Sequence, residues 1–343
     1  MTTTWAWVQL FVRQFELCEA RPEEAAVVLT EPTTNDALVQ TAVLALQQLG
    51  CHVNQLVLPH EARAEDPLSG NLVALAALGA ADLVIDCTRW GLDHSKSLND
   101  LRDHGTRILQ LAGAHPADFE HIVAHPGLAR RVQHATELLR GVELTISTEA
   151  GTRIRIGLRG AEITGASGSA AGPGTIERWP AGSVSLVPRD DAVSGTIVLM
   201  PGDVVGSAAS HVRSPVTLVV EHDHICDIQG DSGDADLVRS HLEAFESTEA
   251  YGMSSIGWGM ALSGHDATTV PFDPTLTGPA ARLAAGVVTL TTGTNTVAGR
   301  EAPGGIEFHL RRCTVAVDGI EIIRDGQLEG GLAPDVYELA ARS

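Results

Sequence analysis

Two periods of apolar residues divide the chain. Trp5, Val8, Leu10, Phe11, Phe15 and Leu17 recur at roughly helical spacing and predict an amphipathic helix within residues 1–20. Residues 24–30 form a short apolar run that reads as a strand. Thr34-Asn35-Asp36 then offers an N-cap for a helix that reaches Leu49 and stops at Gly50. Residues 52–58, 83–87 and 107–112 read as further strands, and residues 72–80, 97–104 and 127–139 as helices. Strands alternating with helices imply a parallel sheet covered on both faces. The expectation for residues 1–140 is therefore a Rossmann-like α/β domain.

From Glu143 the period changes to two. Residues 143–147, 153–158, 195–199 and 216–220 alternate between Gly, Pro and Asp turns, as antiparallel strands do. A helix is expected over residues 235–245. Residues 165–175 contain only Gly, Ala, Ser and Pro up to Thr175, a loop composition. Residues 141–343 are thus expected to form a β-rich α+β domain. Ligands of open parallel sheets bind beyond the carboxyl ends of the strands. The 83–87 strand would deliver Arg89, Trp90, His94 and Ser95 to that edge, and a cleft between the domains is the expected place for a small molecule.

Composition narrows the function. The 23 Lys and Arg residues face 43 Asp and Glu, a formal net charge of −20. That opposes nucleic-acid binding, which needs a cationic footprint. No run approaches the roughly 18 apolar residues of a membrane span, and no basic segment precedes an apolar run at the N-terminus. A cytoplasmic protein is expected. Five dispersed cysteines (Cys18, Cys51, Cys87, Cys226, Cys313) fit neither a disulfide framework nor a zinc ribbon, and read as buried small apolar groups.

Two stretches carry most chemical information. Residues 250–260 read Ala-Tyr-Gly-Met-Ser-Ser-Ile-Gly-Trp-Gly-Met, and residues 304–314 read Gly-Gly-Ile-Glu-Phe-His-Leu-Arg-Arg-Cys-Thr. With Asp82-Leu-Val-Ile-Asp86, Leu92-Asp-His-Ser95, Trp179-Pro-Ala-Gly182 and Pro201-Gly-Asp203 in the same order, the chain resembles the non-haem iron 2,5-dihydroxypyridine 5,6-dioxygenases and, more distantly, the aminopeptidase T metallopeptidases. The resemblance covers nearly the whole chain. It implies iron ligands at three positions: a His or Glu two residues before the Gly-Trp-Gly turn, and a later His-x-Asp. Those positions hold Ser255, Gly305 and Glu307 here. The implied fold is retained and the implied ligand set is not.

One carboxylate and a hydroxyl rarely hold a divalent transition ion. The first expectation is therefore a metal-independent, cofactor-free enzyme acting on a polar nitrogen-containing metabolite by acid–base chemistry: C–N hydrolysis, elimination or ring rearrangement. Glu307 would be the acid or base, Arg311 and His94 would orient or polarise, and Ser255 would donate a hydrogen bond. A Glu307–Arg311 pair that only holds the strand is the structural alternative. Trp179, Thr292, Thr294 and Arg89 are substrate-binding candidates, with core packing open for Trp179 and ordinary strand roles open for the threonines. The alternatives in function are an Fe(II)-dependent ring-cleaving dioxygenase of an N-heterocycle, with His309, Glu307 and His265 as ligands, and a non-catalytic binding homologue. The resemblance also implies a homodimer or higher homo-oligomer.

Overall fold

The computed structural model describes residues 3–59, 68–89, 91–92, 95, 97–111, 115–120, 125–206, 210–262 and 278–340. His94, Trp90 and His265 lie outside the described residues. The chain divides into two compact units, residues 1–129 with 166–181 and residues 130–165 with 182–343.

The first unit is built on a five-stranded sheet, ordered His52–Val57, Ala25–Thr30, Leu83–Asp86, Arg107–Leu111 and Ile176–Trp179, with all neighbours parallel. The central strands are apolar at nearly every position because both faces are covered. Leu83, Ile85, Leu109 and Leu111 pack with helices Trp5–Leu17 and Asp36–Gln48. Val27, Leu29, Val84 and Ile108 pack on the other side with Leu78 and Leu101 from helices Leu72–Gly79 and Leu98–Asp103. Asn35 caps its helix by accepting the Ala37 N–H at 2.9 Å.

The expected boundary at residue 140 falls instead at 129/130, and residues 166–181 return to the first unit. Two interactions account for this. Strand Ile176–Trp179 adds beside Arg107–Leu111, and the loop before it is tied to the buried Glu177 carboxylate, which accepts Ser167 N–H at 3.0 Å and Gly168 N–H at 3.1 Å. Helix Pro126–Leu138, in turn, is anchored in the second unit. Its buried Arg131 pairs with Glu338 at 2.6 Å and donates to the Met260 carbonyl at 2.9 Å.

The second unit holds two antiparallel sheets. Eight strands run in the order His224–Gln229, Val216–Glu221, Val193–Leu199, Arg153–Gly157, Glu143–Ser147, Thr314–Val317, Ile320–Arg324 and Gln327–Leu328. Seven run in the order Ser210–His211, Val204–Val205, Glu307–Leu310, Val288–Thr292, Met253–Gly259, Ser183–Val187 and Glu162–Ala166. Helix Gly233–Glu243 corresponds to the helix expected near residue 235. Four cysteines are buried as expected, whereas Cys226 is exposed because it lies on the edge strand of the eight-stranded sheet. No helix among the described residues is long and apolar enough to cross a membrane.

Asp86 ends its strand in a fully buried position. Its Oδ1 accepts Thr88 N–H at 2.9 Å and Thr88 Oγ1–H at 2.7 Å, while Oδ2 has no partner. Burial pushes its pKa from 3.8 up to about 6. A raised carboxyl pKa stabilises the fold while the group is neutral, below the unfolded value. That stability is lost as pH rises through the folded value. A gap of about two units corresponds to about 3 kcal/mol. Urea denaturation of Asp86→Asn should therefore show a flatter stability profile between pH 4 and 7 than the parent, with the largest gain at pH 7; identical profiles would show that Asp86 does not titrate in this range.

Candidate active site

The seven-stranded sheet sorts its side chains by the period of two. Ile256, Trp258, Val288, Leu290, Phe308 and Leu310 alternate onto one face and are buried. Polar groups fill the other face. Ser255 pairs with Thr291 and Thr291 with Glu307, giving one row across three strands. The next row runs Ser185, Gly257, Thr289, His309, Val204, His211 across six strands. Directly paired residues project to the same side, so these rows share one face, which is polar except where Gly257 and the buried Val204 interrupt the longer row.

Glu307 and His309 are its centre. Arg282, on the short helix Gly278–Leu283, forms a close ion pair with Glu307 Oε1. The other carboxylate oxygen, Oε2, lies 3.5 Å from His309 Nε2. The facing imidazole and then the Arg282 guanidinium hold the Glu307 carboxyl below its usual range, against the opposing effect of burial. His309 is 1% exposed; its Nδ1 is 3.0 Å from Thr289 Oγ1, and its Nε2 has no hydrogen-bond partner. The arrangement is an ionised carboxylate beside an under-satisfied imidazole, flanked by three hydroxyls.

A model of the family described as 2,5-dihydroxypyridine 5,6-dioxygenase matches residues 6–330. The chain belongs to that family. A 2,5-dihydroxypyridine 5,6-dioxygenase of Pseudomonas putida KT2440 is 29% identical, over 93% of this chain and 95% of the relative. The solved structure of 2,5-dihydroxypyridine dioxygenase from that organism superposes with a TM-score of 0.81 at 28% identity, covering 94% of this chain and 97% of its own. AmpT from Thermus thermophilus shares the fold, with a TM-score of 0.59 at 12% identity over 94% of this chain and 99% of its own.

The positions that the resemblance assigns to iron do not form a donor set. Ser255 offers a hydroxyl, two strands away from Glu307. Position 305 is closed to any side chain. A Cβ there would overlap the Thr292 carbonyl oxygen, because Thr292 N–H donates to the Ile306 carbonyl at 2.9 Å and Ile306 N–H donates to Thr292 Oγ1 at 3.0 Å. The two backbones are zipped together where an imidazole would stand. Among the described residues, no group of three or more His, Cys, Asp or Glu side chains lies close enough to hold a metal ion.

The remaining candidates are placed elsewhere. Arg311 shares the parity of Glu307 and His309 but lies beyond the strand end. Its N–H donates to Asp203 at 2.9 Å and its guanidinium reaches the Pro201 carbonyl at 3.3 Å, over Gly202, where a Cβ would displace it. Arg282, 25 residues before Glu307, takes the partnership expected of Arg311. Thr292 is spent on Ile306, and Thr294 exchanges hydrogen bonds with Ala302 at 3.1 and 3.2 Å, so both fasten backbone. Trp179 packs against Phe11 and Phe119 in the first unit, with ring centroids 4.9 and 4.3 Å apart. Arg89 is exposed in the first unit, its N–H donated to Glu31 at 3.1 Å. His94 and His265 lie outside the described residues. His211 joins the face only through the register, which no local motif reports.

Gly305→Ala should cost about 2 kcal/mol or more, since the new methyl must push apart a backbone pair joined by two hydrogen bonds. Denaturant titration measures this, and a change within roughly 0.5 kcal/mol, the ordinary range for surface substitutions, would show that the gap at 305 can open.

Proposed function

We propose that the chain is a ring-cleaving dioxygenase of a dihydroxylated nitrogen heteroaromatic, with 2,5-dihydroxypyridine the first substrate to test. Family membership across almost the whole chain carries this reading. It favours the dioxygenase over the metal-independent hydrolase or lyase that the missing ligands first suggested. In such a reaction one ring C–C bond breaks and both atoms of O2 enter the product.

The family's ligand positions do not build an iron site in this chain, and its own residues take binding and proton-holding roles. Ionised Glu307 accepts a hydrogen bond from a ring hydroxyl and receives its proton. Arg282 stabilises the resulting oxyanion. Ser255, Thr289 and Thr291 offer hydroxyls to the ring's polar substituents. His309 keeps the carboxylate ionised.

Incubation with 2,5-dihydroxypyridine under 18O2, with Fe(II) supplied anaerobically beforehand, should yield a ring-opened product containing two labelled atoms. Glu307→Gln should lower kcat/KM by about 100-fold, within the usual range for removal of an acid–base group. A product free of label would return the hydrolytic reading, and the absence of any product would leave the family's reaction without support here.

A further inference from the structure

In the row that contains His309, Thr289 is its neighbour on one side and Val204 on the other. Val204 is apolar, and Gly257, on the far side of Thr289, has no side chain. Thr289 is therefore the one polar side chain beside His309 in this row, and its Oγ1 lies 3.0 Å from His309 Nδ1. Across the ring, Nε2 lies 3.5 Å from Glu307 Oε2. A hydroxyl, an imidazole and a carboxylate thus stand in series, with Arg282 on the remaining carboxylate oxygen.

We propose that Thr289 is a positioning residue: its hydroxyl donates to His309 Nδ1 and fixes the imidazole as the neutral tautomer whose Nε2–H faces Glu307. The carboxylate sets the direction of this series. An ionised carboxylate only accepts, so a bare Nε2 facing Oε2 would oppose two lone pairs. Nε2 therefore carries the hydrogen. Arg282 already matches the charge of Glu307, and a second cation at His309, which is 1% exposed, would be desolvated without a carboxylate of its own. A neutral imidazole with Nε2–H has its acceptor at Nδ1. Val204 cannot serve that atom, and Thr289 Oγ1–H does. Oε2 retains a second acceptor position for a ring hydroxyl. This assignment deepens the dioxygenase reading and rests on it for the effect on turnover, but not for the hydrogen bonds.

The test uses the whole protein labelled with 15N-histidine, at neutral pH, with the His309 signals assigned by their loss in His309→Gln. The parent should show a bare Nδ1 and a protonated Nε2. In Thr289→Val the Nδ1 resonance should move toward that of a nitrogen accepting no hydrogen bond, and Thr289→Ser should restore it. With 2,5-dihydroxypyridine, Thr289→Val should lower kcat/KM about tenfold, the size of one lost hydrogen bond, and Thr289→Ser should recover most of it. Thr289→Ser keeps the hydroxyl, so it tests the assignment even if Thr289→Val fails to fold. A proton on Nδ1 in the parent overturns the proposal, as does an Nδ1 resonance or a kcat/KM that Thr289→Val leaves unchanged. The expected resonances without turnover by the parent support the tautomer and overturn the reaction.

Discussion

The alternation of side chains across the seven-stranded sheet decides where chemistry can occur in this protein. The register ties Ser255 to Thr291 to Glu307, and Gly257 to Thr289 to His309. A slip of one residue in any of these strands would turn its polar groups into the face now occupied by Trp258, Leu290 and Phe308. Burial of those apolar side chains therefore holds the carboxylate and the imidazole together. Arg282 adds the last element from a helix, and it fixes the charge state of Glu307 together with His309.

A second constraint lies one step along the same strands. Thr292 and Ile306 are joined closely enough that residue 305 has no room for a side chain. The departure from the family's ligand pattern is thus built into the backbone contact as well as into residue identity. Substituting a histidine back at 305 would not recreate a ligand, because the space is taken by a carbonyl oxygen. The polar groups that remain on this face are Ser255, Thr289, Thr291, Glu307 and His309.

Much of the fold was legible in the chain. The change from helical spacing to a period of two near Glu143 marked the passage from parallel to antiparallel structure, and the apolar runs at 25–30, 83–86 and 107–111 became the central strands of the first sheet. The return of residues 166–181 was not legible. It depends on a strand pairing and on the Glu177 carboxylate, and neither leaves a local pattern. Of the candidate site, Glu307 and Ser255 are singled out by resemblance, and both lie on the polar face. Arg311 was chosen by parity, which fails beyond the end of a strand, where the chain turns at Arg312 with φ of 55°. Arg282 had no signal, because it reaches Glu307 by an ion pair from a helix and not by spacing along the chain; the place of His211 depends on pairing across the sheet. Thr292 and Thr294 illustrate the reverse: hydroxyls that look like ligands for a substrate are consumed by their own backbone.

The polar face of the seven-stranded sheet is the proposed working surface of this protein, and that assignment is most directly tested by anaerobic calorimetric titration of the parent, Glu307→Gln and Thr291→Val with 2,5-dihydroxypyridine. If the ring lies on this face, each substitution removes a hydrogen-bonding group and should weaken binding, about tenfold for Glu307→Gln. Equal affinity in all three proteins would place the ring away from this face and contradict the assignment.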